Sequence, residues 1–199
     1  MALTQPTMAC PRKLTWSLLL LVILGHLAGC AGRLQTSPPA SDQNLDSNFY
    51  LAGKLIVRSG EEATSLRFSW QQAQDEYRIR LWGPLGAART ELVGDQAVLQ
   101  VSRQGEVVAA GPAQEIMQTE LGWQVPLSAL GYWVRGRPDQ KSPAYDLRRD
   151  QAQRLIAFSQ HQTDIALEQF EGSGERWVPR RITVSRGSLT IKLMISQRG

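Results

Sequence analysis

The clearest chemistry in the sequence belongs to Cys30, at the end of Leu27-Ala28-Gly29-Cys30. This segment follows Arg12, Lys13 and a mainly aliphatic run over 14–28, which is shorter than the roughly 20 residues needed to span a bilayer. A basic start, a short apolar run and a small-residue exit are typical of a secretory signal. The exit resembles the bacterial lipobox, where a peptidase cleaves before a cysteine whose thiol receives diacylglycerol. We therefore predict a signal peptide over 1–29 and a lipid on Cys30. The alternative is an ordinary secreted protein with a chance cysteine.

Few other residues offer chemistry once the signal is removed. Cys10 and His26 leave with it, so Cys30 and His161 are the remaining cysteine and histidine. We expect no intramolecular disulfide, no metal site and no cofactor. A hydrolase is the enzymatic alternative, but the available acids and serine lie outside a nucleophile motif such as Gly-x-Ser-x-Gly. These residues are Glu91, Asp95, Glu115, Glu120 and Ser128. We expect no catalytic residues and no enzyme.

The charge balance of the chain gives little reason to expect nucleic acid as a partner. The sequence has 22 Lys and Arg against 18 Asp and Glu, and loss of Arg12 and Lys13 leaves 20 against 18. No dense basic stripe is visible, and the arginines at 78, 80, 180 and 181 are interpreted as solvated strand faces.

The chain changes character twice after Cys30. Residues 31–47 are polar and poor in large apolar groups, which predicts a disordered tether. We assign the lipidated cysteine and tether to 30–48 and a folded domain to 49–199. A flexible coil of this length spans about 20–25 Å, so the domain would stay near its membrane.

From Phe49 onward, alternation of apolar and polar residues predicts antiparallel strands with one apolar face. Three strands fall between 49 and 82, joined by turns at 59–62 and 73–76. The later strands are predicted at 88–94, 97–102, 105–110, 153–160, 164–171, 178–186 and 188–196.

Two central segments carry helical spacing instead. Pro112 and Gly122 are suited to the start and end of a helix over 112–121, and a second short helix is predicted over 126–135. The pattern is an α+β fold, mostly β, and a single sheet of so many strands tends to curl.

The curled sheet and its helices face each other with large apolar side chains. These ten residues are Leu66, Phe68, Trp70, Ile79, Leu81, Ile116, Met117, Leu121, Leu130 and Trp133. They suit either an adaptable hydrophobic pocket or a filled core, because strand alternation looks the same in both cases.

A further apolar residue, Leu85, is placed at a hairpin tip by the turn signal Gly83-Pro84-Leu85-Gly86. Single exposed leucines are common. The functional interpretation is that Leu85 enters a membrane or contacts a ligand, which could contribute roughly 1.5–3 kcal/mol.

Together these features resemble the LolB family, outer-membrane receptors that insert lipoproteins in Gram-negative bacteria. The resemblance covers about 49–195. It is carried by Arg67-Phe68-Ser69-Trp70-Gln71-Gln72, by Tyr77-Arg78-Ile79-Arg80-Leu81-Trp82-Gly83-Pro84-Leu85-Gly86, by Gly122-Trp123-Gln124-Val125-Pro126-Leu127, by Leu130-Gly131-Tyr132-Trp133-Val134-Arg135-Gly136-Arg137-Pro138 and by Leu189-Thr190-Ile191-Lys192-Leu193.

The resemblance implies an incomplete, unclosed antiparallel β-barrel whose short helices cover a hydrophobic cavity. It implies that the protein accepts lipoproteins from the periplasmic carrier LolA, holds their acyl chains among the ten residues and releases them into the outer membrane. Leu85 matches the family's protruding loop residue, which is thought to promote delivery to the membrane. The expected partners are LolA, client lipoproteins and outer-membrane phospholipid, and the expected state is a lipid-anchored monomer facing the periplasm. The alternative is a structural or assembly lipoprotein that binds another protein without lipid transfer.

Overall fold

The protein folds around one antiparallel sheet of eleven strands. The computed structural model describes residues 48–123, 125–173 and 176–199; the predicted signal peptide, Cys30 and nearly all of the predicted tether lie outside them. The strands are β1 Phe49–Ser59, β2 Glu62–Ala73, β3 Glu76–Trp82, β4 Thr90–Gly94, β5 Val98–Arg103, β6 Glu106–Pro112, β7 Tyr145–Arg149, β8 Leu155–Gln160, β9 Thr163–Ser173, β10 Arg176–Arg186 and β11 Leu189–Arg198.

Side-chain alternation in the strands produces one buried and one solvated face. In β2, Phe68 and Trp70 are buried, whereas Arg67 and Gln71 on either side of them are exposed. Successive side chains of a strand point to opposite faces, so a period of two in the sequence becomes two chemically different surfaces. The predicted strand pattern is confirmed on this point.

The sheet does not close. Its strand order is β6-β5-β4-β3-β2-β1-β11-β10-β9-β8-β7, so β6 and β7 are its edges. The last strand is paired on both sides, with β1 and β10, and extends to Arg198. Gly53 permits a bulge in this pairing, because a Cβ there would lie 2.0 Å from the carbonyl oxygen of Met194. The unclosed antiparallel architecture is confirmed.

Two short helices, α1 Ala113–Leu121 and α2 Leu127–Trp133, lie on the apolar side of the sheet. Pro112 precedes α1, and Gly122 ends it in the left-handed conformation with its N–H directed to the carbonyl of Gln118. Both helices were predicted, although α2 is shorter than the predicted 126–135 and ends at Trp133.

Strand β7 was missed by the sequence analysis. Every residue of this strand is exposed, so it has no buried face to produce alternation. Its irregular pairing with β8 at one sheet edge determines the extended conformation, and the residue pattern alone does not.

Candidate functional site

The ten residues predicted to line a cavity come together in one hydrophobic cluster between the sheet and the helices. Seven are buried, and Leu66, Ile116 and Leu121 pack against the cluster with partial exposure. Their side chains belong to one cluster of packed apolar residues. Their role in acyl-chain binding stays a prediction.

The cluster also contains residues that were not assigned to the site. Leu99 and Val101 come from β5, Phe158 from β8, and Trp123 and Val125 from the segment between the helices. The alternation in 97–102 could have identified the two β5 residues. Trp123 and Val125 lie in an irregular segment, where no periodic signal exists.

Helix α2 is firmly attached to the sheet at its C-terminal end. The indole Nε1 of Trp133 donates a hydrogen bond of 2.9 Å to Gln160, and the Trp133 ring packs edge-on against Phe158 with centroids 6.4 Å apart. Arg198 of β11 donates a hydrogen bond of 3.2 Å to the carbonyl of Val134. Burial lowers the pKa of Arg198, while nearby Glu171 acts in the opposite direction.

Trp70 links α2 to the other half of the sheet. Its indole Nε1 donates to the side chain of Gln72 at 3.1 Å, and its ring packs edge-on against Phe49 at 5.4 Å. A Cβ on Gly131 of α2 would lie 3.9 Å from the Trp70 ring, an ordinary packing distance. Gly131 therefore lies against the Trp70 ring with room for one further methyl group.

Helix α1 has a much smaller buried surface than α2. Met117 is its one fully buried side chain among the described residues, whereas α2 buries five residues. Helix α1 packs on β5 and on β6, the strand that leads into it. Arg103 of β5 forms an ion pair with Glu120 of α1 at 3.0 Å. Helix α1 therefore contributes fewer fully buried side chains to the cluster than α2, although Ala113, Ile116 and Leu121 pack against it with partial exposure.

A crevice of about 440 Å³ separates α2 from the ends of β2 and β3. Tyr77 lines it, and its buried hydroxyl has no hydrogen-bond partner among the described residues. Burial raises the pKa of Tyr77 above its ordinary value of 10, and the nearby charge of Asp95 acts in the same direction. Tyr77 and Leu127 of the hydrophobic cluster border this crevice, whose other lining residues are mainly polar.

Leu85 lies in the short helical turn Pro84–Gly86 after β3 and is fully exposed. Its backbone is left-handed, with φ 56° and ψ 21°. The turn is held by a 2.7 Å hydrogen bond from the N–H of Gly83 to the carbonyl of Ala87. The structure thus places an apolar side chain in water on a defined turn, as the sequence pattern indicated. Its role at a membrane stays a prediction.

Several other ionisable groups form local pairs. Glu91 bridges Arg78 and Arg80 at 3.0 and 2.8 Å on the solvated face of the sheet. His161 lies 3.3 Å from a carboxylate oxygen of Asp139. Within the described ranges, no group of three or more His, Cys, Asp or Glu is placed to hold a metal ion. None of the helices in those ranges is long and apolar enough to cross a membrane.

Comparison with solved structures supports the fold. A LolA superfamily protein from Nitrosomonas europaea superposes with a TM-score of 0.51 at 11% sequence identity, covering 80% of this chain and 92% of that protein. At this identity the likeness shows a shared architecture.

Comparison with known sequences assigns the family. The outer-membrane lipoprotein LolB of Chromohalobacter salexigens is 33% identical over 189 residues, which is 89% of this chain and 87% of the relative. The LolB of Pseudomonas fluorescens is 32% identical, covering 86% of this chain and 89% of the relative. The family model for outer membrane lipoprotein LolB matches residues 47–197, nearly the whole of the described structure. The chain therefore belongs to the LolB family of outer-membrane lipoproteins.

Proposed function

We propose that this protein is the receptor that takes lipoproteins from the carrier LolA and inserts them into the outer membrane, where its own lipid on Cys30 anchors it facing the periplasm. The observation that carries the proposal is the apolar cluster between an unclosed sheet and two short helices, in a chain of the LolB family. The likeness to a LolA superfamily structure agrees with it at the level of the fold.

Acyl chains need a binding space, and the packing of the helices indicates how one forms. Covering each methylene stabilises a lipid chain by about 0.8 kcal/mol, so a site between sheet and helices gains from every apolar contact. Because α1 buries one residue fully, its displacement loses fewer buried contacts than that of α2, which stays attached through Trp133 and Val134. In this proposal α1 moves outward and the lipid chains replace its contacts.

A two-step transfer assay tests the function. A lipoprotein preloaded on LolA is mixed with the purified protein, first without and then with phospholipid vesicles. We expect the lipoprotein to move to this protein in the first step and to the vesicles in the second. Transfer of no lipoprotein in the first step would contradict the proposal. If the protein takes up no lipoprotein but binds another outer-membrane protein, the alternative of a structural or assembly lipoprotein is supported.

Substitutions in α1 locate the acyl site within that assay. Ile116 is half-buried and faces Gly111, so Ile116→Glu puts a charge on the cluster side of the helix without replacing a fully buried residue. We expect this variant to take up lipoprotein at least about tenfold less well, because a charge in an apolar site costs several kcal/mol. Gln118→Glu, on the exposed side of the same helix, is the matched control. Equal uptake by Ile116→Glu and Gln118→Glu would place the acyl chains elsewhere.

A further inference from the structure

A broad groove lies on the face of the sheet opposite to the hydrophobic cluster. Its volume is about 1580 Å³, and it extends over β1, β2, β10 and β11 to the turn that carries Leu85. Five cationic residues line it, and no acidic residue among those described does so. The five are Lys54, Arg67, Arg89, Arg180 and Arg181. Leu66 and Phe68 also border the groove, although their side chains pack toward the hydrophobic cluster.

Strand register aligns the centre of this groove into one row. Arg181 is opposite Met194, Met194 is opposite Lys54, and Lys54 is opposite Arg67. Arg67 is in turn opposite Trp82. Residues directly opposite each other in antiparallel strands share a face, so these side chains form a continuous surface across five strands.

The cations at the centre of the row lack counter-charges. Lys54 and Arg67 are direct cross-strand neighbours, and like charges in that relation destabilise a sheet. Among the described residues, the side chains of Lys54, Arg67 and Arg89 form no hydrogen bond or ion pair. Nearby on the same solvated face, Arg78 and Arg80 are both paired with Glu91. The contrast indicates that an external anion would stabilise the Lys54–Arg67 pair.

Among the residues that the structure describes, acidic side chains approach the groove at its far side. Arg181 lies 3.8 Å from Glu168, and Arg180 lies 3.6 Å from Glu171. The unneutralised charge is therefore concentrated toward β1, β2 and the turn after β3, close to Leu85.

The aromatic residue in the row has a position suited to a membrane interface. Trp82 is half-buried and is the last residue of β3, immediately before the turn of Leu85. Tryptophan is enriched where a protein meets lipid headgroups, because its ring is amphipathic. Cations, a tryptophan and an exposed leucine thus lie side by side along one rim.

We propose that this groove binds the phosphate-bearing headgroups of anionic phospholipids on the membrane surface that Leu85 enters. The inference rests on the proposed function, because it takes the Leu85 turn as the side of the protein that meets the bilayer. Each lysine or arginine near an anionic surface strengthens binding by roughly fivefold. The groove would hold the domain against the bilayer during release of the cargo.

Vesicle cosedimentation tests the proposal directly. The protein used is the predicted mature chain with the substitution Cys30→Ser, so that no lipid of its own holds it to the vesicles. The vesicles contain either phosphatidylcholine alone or phosphatidylcholine with about one third phosphatidylglycerol. We expect binding to rise about tenfold or more with phosphatidylglycerol and to fall with added salt. Lys54→Gln with Arg67→Gln should remove most of this preference. The charge-conserving pair Lys54→Arg with Arg67→Lys should retain it.

A matched control removes two positive charges away from the groove. Arg148→Gln with Arg176→Gln changes exposed arginines of β7 and β10 that do not line it. Loss of the phosphatidylglycerol preference in this control as well would overturn the proposal, as would equal binding of the unsubstituted groove to both kinds of vesicle.

The carrier assay separates the other outcomes. If Lys54→Gln with Arg67→Gln keeps the lipid preference but takes up less lipoprotein from LolA, the groove binds an acidic protein surface and the lipid assignment is wrong. If the protein takes up no lipoprotein but keeps a groove-dependent preference for phosphatidylglycerol, the proposed receptor function fails and the headgroup site stands.

Discussion

Trp133 at the end of α2 donates a 2.9 Å hydrogen bond from its indole nitrogen to the side-chain oxygen of Gln160 at the end of β8. The same oxygen accepts the backbone N–H of Asp139 at 2.9 Å, and the Gln160 amide donates to the carbonyls of Asp139 and Ser142 at 2.7 Å each. One buried glutamine therefore connects the helix, the following loop and the sheet.

Replacing Gln160 with leucine should destabilise the protein strongly. Gln160→Leu leaves the Trp133 indole and several backbone groups without partners in a buried setting, where each lost partner costs about 1–3 kcal/mol. We expect the free energy of unfolding in urea to fall by roughly 2–4 kcal/mol. Gln114→Leu, at an exposed position of α1, should change it by less than about 0.5 kcal/mol. Similar unfolding curves for the two variants would show that the network contributes little.

Hydrogen exchange should distinguish the two helices. Because α1 buries Met117 alone and α2 buries five residues, amides of α1 should exchange faster. When lipoprotein is bound, we expect exchange in α1 to change while that in α2 stays nearly constant. Mass spectrometry of peptides from each helix measures both effects. Equal protection of the helices would argue against α1 as the moving cover.

Substitutions of Leu85 can separate its side chain from its backbone conformation. Leu85→Asn keeps a residue that tolerates the left-handed conformation and removes the apolar group, while Leu85→Glu adds a charge. We expect both variants to take up lipoprotein normally and to insert it into vesicles more slowly, with the glutamate slower. Transfer of one leucine corresponds to about 1.5–3 kcal/mol, or roughly 10- to 150-fold. Unchanged insertion by both would rule out a membrane role for this side chain.

Tyr77 offers a test of the crevice beside α2. Its hydroxyl is buried without a partner among the described residues, so Tyr77→Phe removes a polar group at no loss of hydrogen bonding. We expect stability to stay constant or rise by up to about 1 kcal/mol, measured by urea unfolding. Tyr77→Ala, which removes the buried ring as well, should instead destabilise by about 3–5 kcal/mol. A large loss with phenylalanine would mean that the hydroxyl does have a stabilising partner.

Raising the pH tests the burial of the same hydroxyl. The pKa of Tyr77 is raised by folding, so the unfolded chain loses this proton first and the associated stability declines as the pH rises above about 10. Tyr77→Phe should lack that part of the alkaline decline. The comparison is made by unfolding both proteins in urea across the alkaline range.

Most of the individual elements could be predicted from the sequence. Alternation around Phe68, Trp70 and Ile79 reports which face of a strand is apolar, and Pro112 and Gly122 report where a helix starts and ends. These signals are local, because they depend on the period of a single element. The ten apolar residues of the cluster were identified in this way, and the exposed position of Leu85 from its turn, while their roles stay predictions.

The tertiary structure decided which elements meet. Register set Lys54 opposite Arg67 and Arg181 in line with them, although the three residues are far apart in the chain. The tertiary structure also determines the extended conformation of β7, whose exposed residues have no alternating pattern. It brings the side chain of Gln160 within hydrogen-bond distance of Trp133. A period of two is the same in every strand, so it specifies a face but no partner. Pairing of distant strands, and the helix packing it permits, supplies that missing information.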